Sequence, residues 1–152
     1  MSEKSPYYNK RKDIWRYYKV DYTDTYTEEM DTEGLDVLKW SMFDSPDKLG
    51  SGKMFMETAP VAILDRIFKI ERLRGYIEMG YCSKSYADRI MLASESPHRL
   101  GMAIKFRCIN KNSRFRFVKG LIQYGVERIH LHKESIYFDT DNYIRKPELL
   151  FF

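Results

Sequence analysis

Apolar and polar positions change their period several times along the chain, and each change marks an element. Over 60–74, Val61, Leu64 and Phe68 fall on one helical face, with Ile63, Ile67 and Ile70 beside them. That broad stripe predicts an amphipathic helix, opened by Pro60 and stopped by Gly75. Residues 76–81 alternate and predict a short strand. Ser83 can cap a helix predicted over 84–93. Residues 101–108 predict a strand with Met102, Ile104, Phe106 and Cys108 on one face, and Ala103, Lys105 and Arg107 on the other. Residues 113–124 predict a helix ended by Gly125. Two strands, 126–131 and 135–140, flank the polar turn His132-Lys133-Glu134 and predict a hairpin. Residues 43–53, rich in Asp, Ser, Gly and Pro, predict a loop. No internal repeat is visible. The class expected is α+β, with helices packed on a small, mainly antiparallel sheet that ends in a C-terminal hairpin.

The first 33 residues differ from this pattern. Tyr7, Tyr8, Trp15, Tyr17 and Tyr18 interleave with Lys10, Arg11, Lys12, Arg16 and Lys19, and an acidic, threonine-rich stretch follows. Ile14 and Val20 are too few aliphatics to form a core. The division expected is an N-terminal arm over 1–33 and a folded domain over 34–152. Interleaved aromatic and basic residues could stack on nucleic-acid bases. The acidic stretch cancels that charge, so the favoured reading is an arm that docks on a protein partner or self-associates. The apolar tail Leu149-Leu150-Phe151-Phe152 either tucks into the core or marks a contact, with a contact slightly favoured.

With 152 residues the chain is long enough for one real core. No apolar run approaches the roughly 18 residues of a membrane helix. The N-terminus carries no pattern of a secretory signal. A net charge of +4, from 26 basic and 22 acidic residues of mixed order, is no strong footprint for nucleic acid. Cys82 and Cys108 form no Cys-x-x-Cys pair, which argues against a thiolate zinc site. They read as buried free thiols, although a disulfide is geometrically possible if their strands are neighbours.

The stretch Ser96-Pro97-His98-Arg99-Leu100-Gly101-Met102-Ala103-Ile104-Lys105 changes the picture. It resembles the signature Ser-x-His-x-x-Gly-x-Ala-x-Asp of the zinc D-alanyl-D-alanine carboxypeptidases, which share a fold with the Hedgehog signalling domain. Other segments resemble the compact members carried by small bacteriophages, in the same order. They are Phe43-Asp44-Ser45-Pro46-Asp47 with Gly50-Ser51-Gly52-Lys53, the helix around Leu64-Asp65-Arg66, and Gly80-Tyr81-Cys82-Ser83. The last is the hairpin Gly125-Val126-Glu127-Arg128-Ile129-His130-Leu131 with Ile136-Tyr137-Phe138-Asp139-Thr140-Asp141. The resemblance covers 43–141 and implies a Hedgehog/DD-peptidase-like domain.

It also implies a broken active site. A catalytic zinc needs three protein ligands and an open position for a water whose pKa it lowers to about 7. The family supplies His, Asp and His, an acidic base beside the last ligand, and an arginine for substrate or oxyanion. Here His98 keeps the first position. Lys105 replaces the Asp, Tyr137 the second His, and Cys82 the arginine, while Asp139 survives beside the lost ligand. Tyrosine ligates zinc poorly, because its pKa of about 10 opposes deprotonation. No zinc or other cofactor is therefore expected, and no catalytic residue. Lys105 is expected to stand in for the metal by pairing with Asp139 and donating to His98 or Tyr137. A rebuilt site of His98, His130, His132 and Asp139 is the sharp alternative, since His130 and His132 face the same way on a strand. Against it, His130 and His132 also fit a polar strand face with Arg128, and His98 a simple backbone hydrogen bond.

The function these features imply is that of a catalytically inactive relative of a peptidoglycan carboxypeptidase, serving as a phage structural or adaptor protein. The alternatives are a module that binds cell-wall peptides in the vestigial cleft, and an active zinc peptidase with a rearranged site. A virion or the host cytoplasm would suit the first.

Overall fold

The computed structural model describes residues 27–141 and 147–152. Five helices and five strands lie along them. They are α1 (Glu28–Thr32), α2 (Ser51–Phe55), α3 (Thr58–Glu71), β1 (Gly75–Met79), α4 (Lys84–Arg89), β2 (Ala103–Cys108), α5 (Lys111–Gln123), β3 (Arg128–Leu131), β4 (Ser135–Asp139) and β5 (Glu148–Phe151), with a 3-10 turn at Trp40–Phe43. The strands form one mixed sheet in the order β1-β2-β4-β3-β5. All neighbours are antiparallel except β3 and β5. The class is α+β. No helix among the described residues is long and apolar enough to cross a membrane.

The core lies where the apolar sides of α3 and α5 meet the sheet. Val61, Leu64 and Ile67 of α3, Phe117 and Leu121 of α5, and Ile77, Ile104, Phe106, Ile136 and Phe138 of the strands are almost fully buried. Phe106, Phe117 and Phe138 form an edge-to-face chain with ring centroids 5.2 and 5.9 Å apart. The two helices touch closely at Gly120, where a Cβ would meet the Ile67 side chain at 2.9 Å.

Several boundaries differ from the periodicity. α3 starts at Thr58 and ends at Glu71, because Arg72 takes a left-handed conformation at φ 49°. The turn that ends it is made before Gly75, which instead opens β1. α4 stops at Arg89 rather than near Ala93, as Met91 also turns left-handed at φ 59°. Short α2 forms inside the stretch read as loop; the carboxylate of Asp44 accepts from the backbone N–H of Gly50 and Gly52, 3.1 and 2.7 Å away, and organises its start. α1 lies within the segment assigned to the arm, yet it is packed on the domain. Asp31 is buried, and its carboxylate accepts from the backbone and hydroxyl of Ser41 at 2.7 and 2.8 Å. The aromatic-basic residues expected to dock lie outside the described residues.

The tail does not tuck into the core. It adds β5 to the sheet beside β3, with Leu149, Phe151 and Phe152 at least half exposed.

Candidate functional site

Strand alternation divides each strand between two environments. One side faces the helices. The other collects Ala103, Lys105 and Arg107 of β2, Ser135, Tyr137 and Asp139 of β4, and Arg128 and His130 of β3. Register brings the key residues side by side, with Lys105 opposite Tyr137, Ala103 opposite Asp139, His130 opposite Tyr137 and Arg128 opposite Asp139. His98 comes from the loop before β2. Its ring lies edge-on to Tyr137 with centroids 5.4 Å apart. Gly101 lets that loop turn, at φ +72°, where a Cβ would lie 2.0 Å from the carbonyl oxygen of Phe55. The loop is tied to the end of β1 by the His98 carbonyl, which accepts from the N–H of Cys82 at 3.1 Å.

His98, Lys105, Tyr137 and Asp139 thus lie on one patch of the sheet, yet their contacts are not those of a metal centre. The Nδ1 of His98 donates to the carbonyl of Gly80 at 2.8 Å, which leaves Nε2 of the neutral ring without a proton. Burial above all pushes the His98 pKa down, to about 4; Lys105 acts in the same direction, while the Gly80 hydrogen bond and Asp139 oppose it. The ring is neutral at ordinary pH.

Asp139 is fully buried and accepts from Arg128 Nε at 3.1 Å, Tyr137 Oη at 2.6 Å and the N–H of Asp141 at 3.1 Å. The expected Lys105–Asp139 pair does not form. Lys105 Nζ faces Glu78 at 4.0 Å, and the cation held by Asp139 is Arg128. The reason is register. Arg128 stands directly across the β3–β4 ladder from Asp139, whereas β2 sets Ala103 there and leaves Lys105 two positions along, beside β1. Arg128 also reaches Glu148 of β5 through Nη2 at 2.8 Å, and Glu148 binds His130 Nε2 at 2.6 Å. These partners hold the Glu148 carboxyl below its ordinary pKa, the His130 hydrogen bond contributing most.

His130 and His132 do not join His98 in a rebuilt cluster. His130 stacks at a tilt on Tyr137, centroids 4.8 Å apart, and His132 stacks on Phe152 at 4.6 Å. Cys82 is buried, its thiol pushed up to about 12 by burial, with the nearby Asp47 charge adding to the effect. It can neither stand in for an arginine nor act as a nucleophile. Cys82 and Cys108 are both free thiols.

A zinc ion does not fit this donor set. The patch holds the neutral imidazole of His98, the His130 ring bound to Glu148, a lysine facing Glu78 and a phenol already committed as a donor to Asp139. Among the described residues, no group of three or more His, Cys, Asp or Glu is placed to hold a metal. The patch can organise charge and hydrogen bonds.

Three participants escaped the sequence reading. Arg128 was noted only as a companion of the hairpin histidines, and nothing linked it to Asp139. Glu78 lies in a predicted strand whose partners periodicity does not name. Glu148 sits in a strand that gave no periodic signal at all. Comparisons with protein-family models, with curated proteins and with solved structures each return no match.

Proposed function

We propose that this chain is a catalytically silent relative of the zinc D-Ala-D-Ala carboxypeptidases, with a Hedgehog/DD-peptidase-like fold that serves a structural or adaptor role. The observation that carries this reading is convergence. His98 and Lys105, on one segment, and Tyr137, some thirty residues further on, correspond to the family's three ligand positions, and they meet on one patch with Asp139 beside them. The hydrolytic part is silent because the residues there neutralise one another. Arg128 and Tyr137 satisfy Asp139, and Glu78 faces Lys105. A buried, paired carboxylate of this kind is a poor general base, since its lone pairs are already engaged.

Back-substitution tests the reading. The wild-type chain, supplied with zinc and measured by elemental mass spectrometry, is expected to carry none and to leave a D-Ala-D-Ala peptide intact. The Lys105→Asp/Tyr137→His double variant restores three ligands around His98 and is expected to bind zinc near-stoichiometrically. Zinc and hydrolysis in the wild type would refute catalytic silence. A folded double variant, checked by circular dichroism, that takes up no zinc would refute the kinship of the site.

A further inference from the structure

The sheet has a second end, away from Asp139. There Arg107 pairs with Tyr76 and Ser135, and Cys108 with Gly75. A groove of about 820 Å³ lies between this end, the hairpin turn and the start of α5. That volume is in the usual range for small-ligand sites. Arg107, Lys111, Arg114 and Lys133 line it, with Glu134 as its one carboxylate.

The fold cancels only part of this charge. Arg107 is shared between Glu78 and Glu134. Arg114 is oriented without being neutralised. Its Nη2 donates to the carbonyl of His132 at 2.5 Å and its Nη1 to that of Ser135 at 3.4 Å, which ties α5 to the hairpin and leaves further N–H groups available. Lys111 and Lys133 are exposed, and neither makes an ion pair among the described residues. Lys111 and Arg114 also occupy the first turn of α5, where the helix dipole disfavours cations. The backbone end of that helix is already capped by the Asn110 side chain, at 2.8 Å from the N–H of Ser113. The binding capacity therefore belongs to the side chains. In the hairpin turn next to Lys133, burial first and then Lys105, His130 and Arg114 push the His132 pKa below its ordinary value, with Glu78 opposing. Lys111, Arg114 and Lys133, gathered without ion pairs among the described residues, are unfavourable for folding by themselves, and a bound anion would relieve them.

We propose that this groove binds a small phosphate-bearing anion. Lys111 and Lys133 supply mobile ammonium groups, Arg114 a guanidinium held in place, and Tyr76 with Ile109 an apolar wall for any organic part. The site is separate from the His98–Asp139 patch and does not depend on any kinship to a peptidase.

Isothermal titration calorimetry on the full chain, at about 0.15 M salt, tests it with two probes, inorganic tripolyphosphate and adenosine triphosphate. Saturable one-to-one binding is expected for at least one of them. Preference for the nucleotide would assign the apolar wall to a base; equal affinity would assign recognition to the phosphates alone. The Lys111→Gln/Lys133→Gln double variant should weaken binding by about tenfold or more. A control with the same charge change, Lys48→Gln/Lys84→Gln, should leave it within about twofold, because those positions lie outside the groove. Absence of saturable binding to both probes would overturn the proposal. So would equal weakening in the two double variants, which would mark a general charge effect.

Discussion

The two sides of the sheet use alternate residues of the same strands and solve opposite problems. On the helix side, Ile104, Phe106, Ile136 and Phe138 are buried against α3 and α5 with no polar obligation. Each is held by many weak contacts, and no single neighbour is essential. On the other side, Arg128 and Asp139 are buried too, but as charges held by a few short, specific bonds. Removing an apolar residue leaves a cavity; removing one of these leaves its partner charged and dry. The core tolerates exchange of shape-matched groups, whereas the polar side tolerates exchange only of matched pairs.

That contrast can be broken at several points. Phe117→Ala should cost about 3–5 kcal/mol in urea unfolding, since Phe117 joins Phe106 to Phe138 and is fully buried. No second truncation nearby should restore it. Arg128→Met should cost about 3 kcal/mol or more, because Asp139 stays buried without its guanidinium. Here the double variant Arg128→Met/Asp139→Asn should recover part of the loss. Simple addition of the two single costs would show that the polar side is no more coupled than the core.

His98 gives the contrast a pH dependence. Its folded pKa of about 4 lies below the ordinary 6.5, so between these values the unfolded chain binds a proton that the folded chain refuses. Stability from this group is complete above pH 6.5 and falls as the pH drops toward 4. The loss is of the order of 3 kcal/mol when complete. Unfolding free energies at pH 7 and pH 4.5 should therefore diverge more for the wild type than for His98→Gln, and equal divergence would show that His98 does not refuse the proton.

Tyr137→Phe removes the hydroxyl that donates to Asp139 at 2.6 Å, and should cost about 1 kcal/mol with little effect on the helix side. The smallest effect belongs to the surface. Lys69 and Asp36 pair at 3.2 Å with both side chains half exposed, so Lys69→Ala should move the unfolding midpoint by the equivalent of about 0.5 kcal/mol or less.

Periodicity revealed the helix-side elements because burial against a helix pair imposes it directly. The stripe of Val61, Leu64 and Ile67 and the alternation of Ile104 and Phe106 are both visible in one dimension. The hairpin 128–139 was legible for the same reason. α1, α2 and β5 were not. Asp31 holds α1 down through a hydrogen bond to Ser41, ten residues away, and Asp44 sets up α2; such side chain to backbone bonds leave no hydrophobic pattern. β5 pairs in parallel with a strand that ends seventeen residues before it begins, and its apolar run reads equally well as tail or core.

At the candidate site, the sequence by itself determined which residue types are present. It placed a histidine, a lysine, a tyrosine and an aspartate at His98, Lys105, Tyr137 and Asp139, and strand alternation put Tyr137 and Asp139 on one side of their strand, while register brought Lys105 beside them. Only the tertiary structure decided which charge pairs with which. Ladder register set Arg128 across from Asp139, β1 brought Glu78 to Lys105, and β5 delivered Glu148 to Arg128 and His130. The physical reason is range. A hydrophobic pattern repeats over a few residues and can be read locally, but a buried ion pair is chosen by distances of a few ångströms between strands whose order the local pattern does not contain.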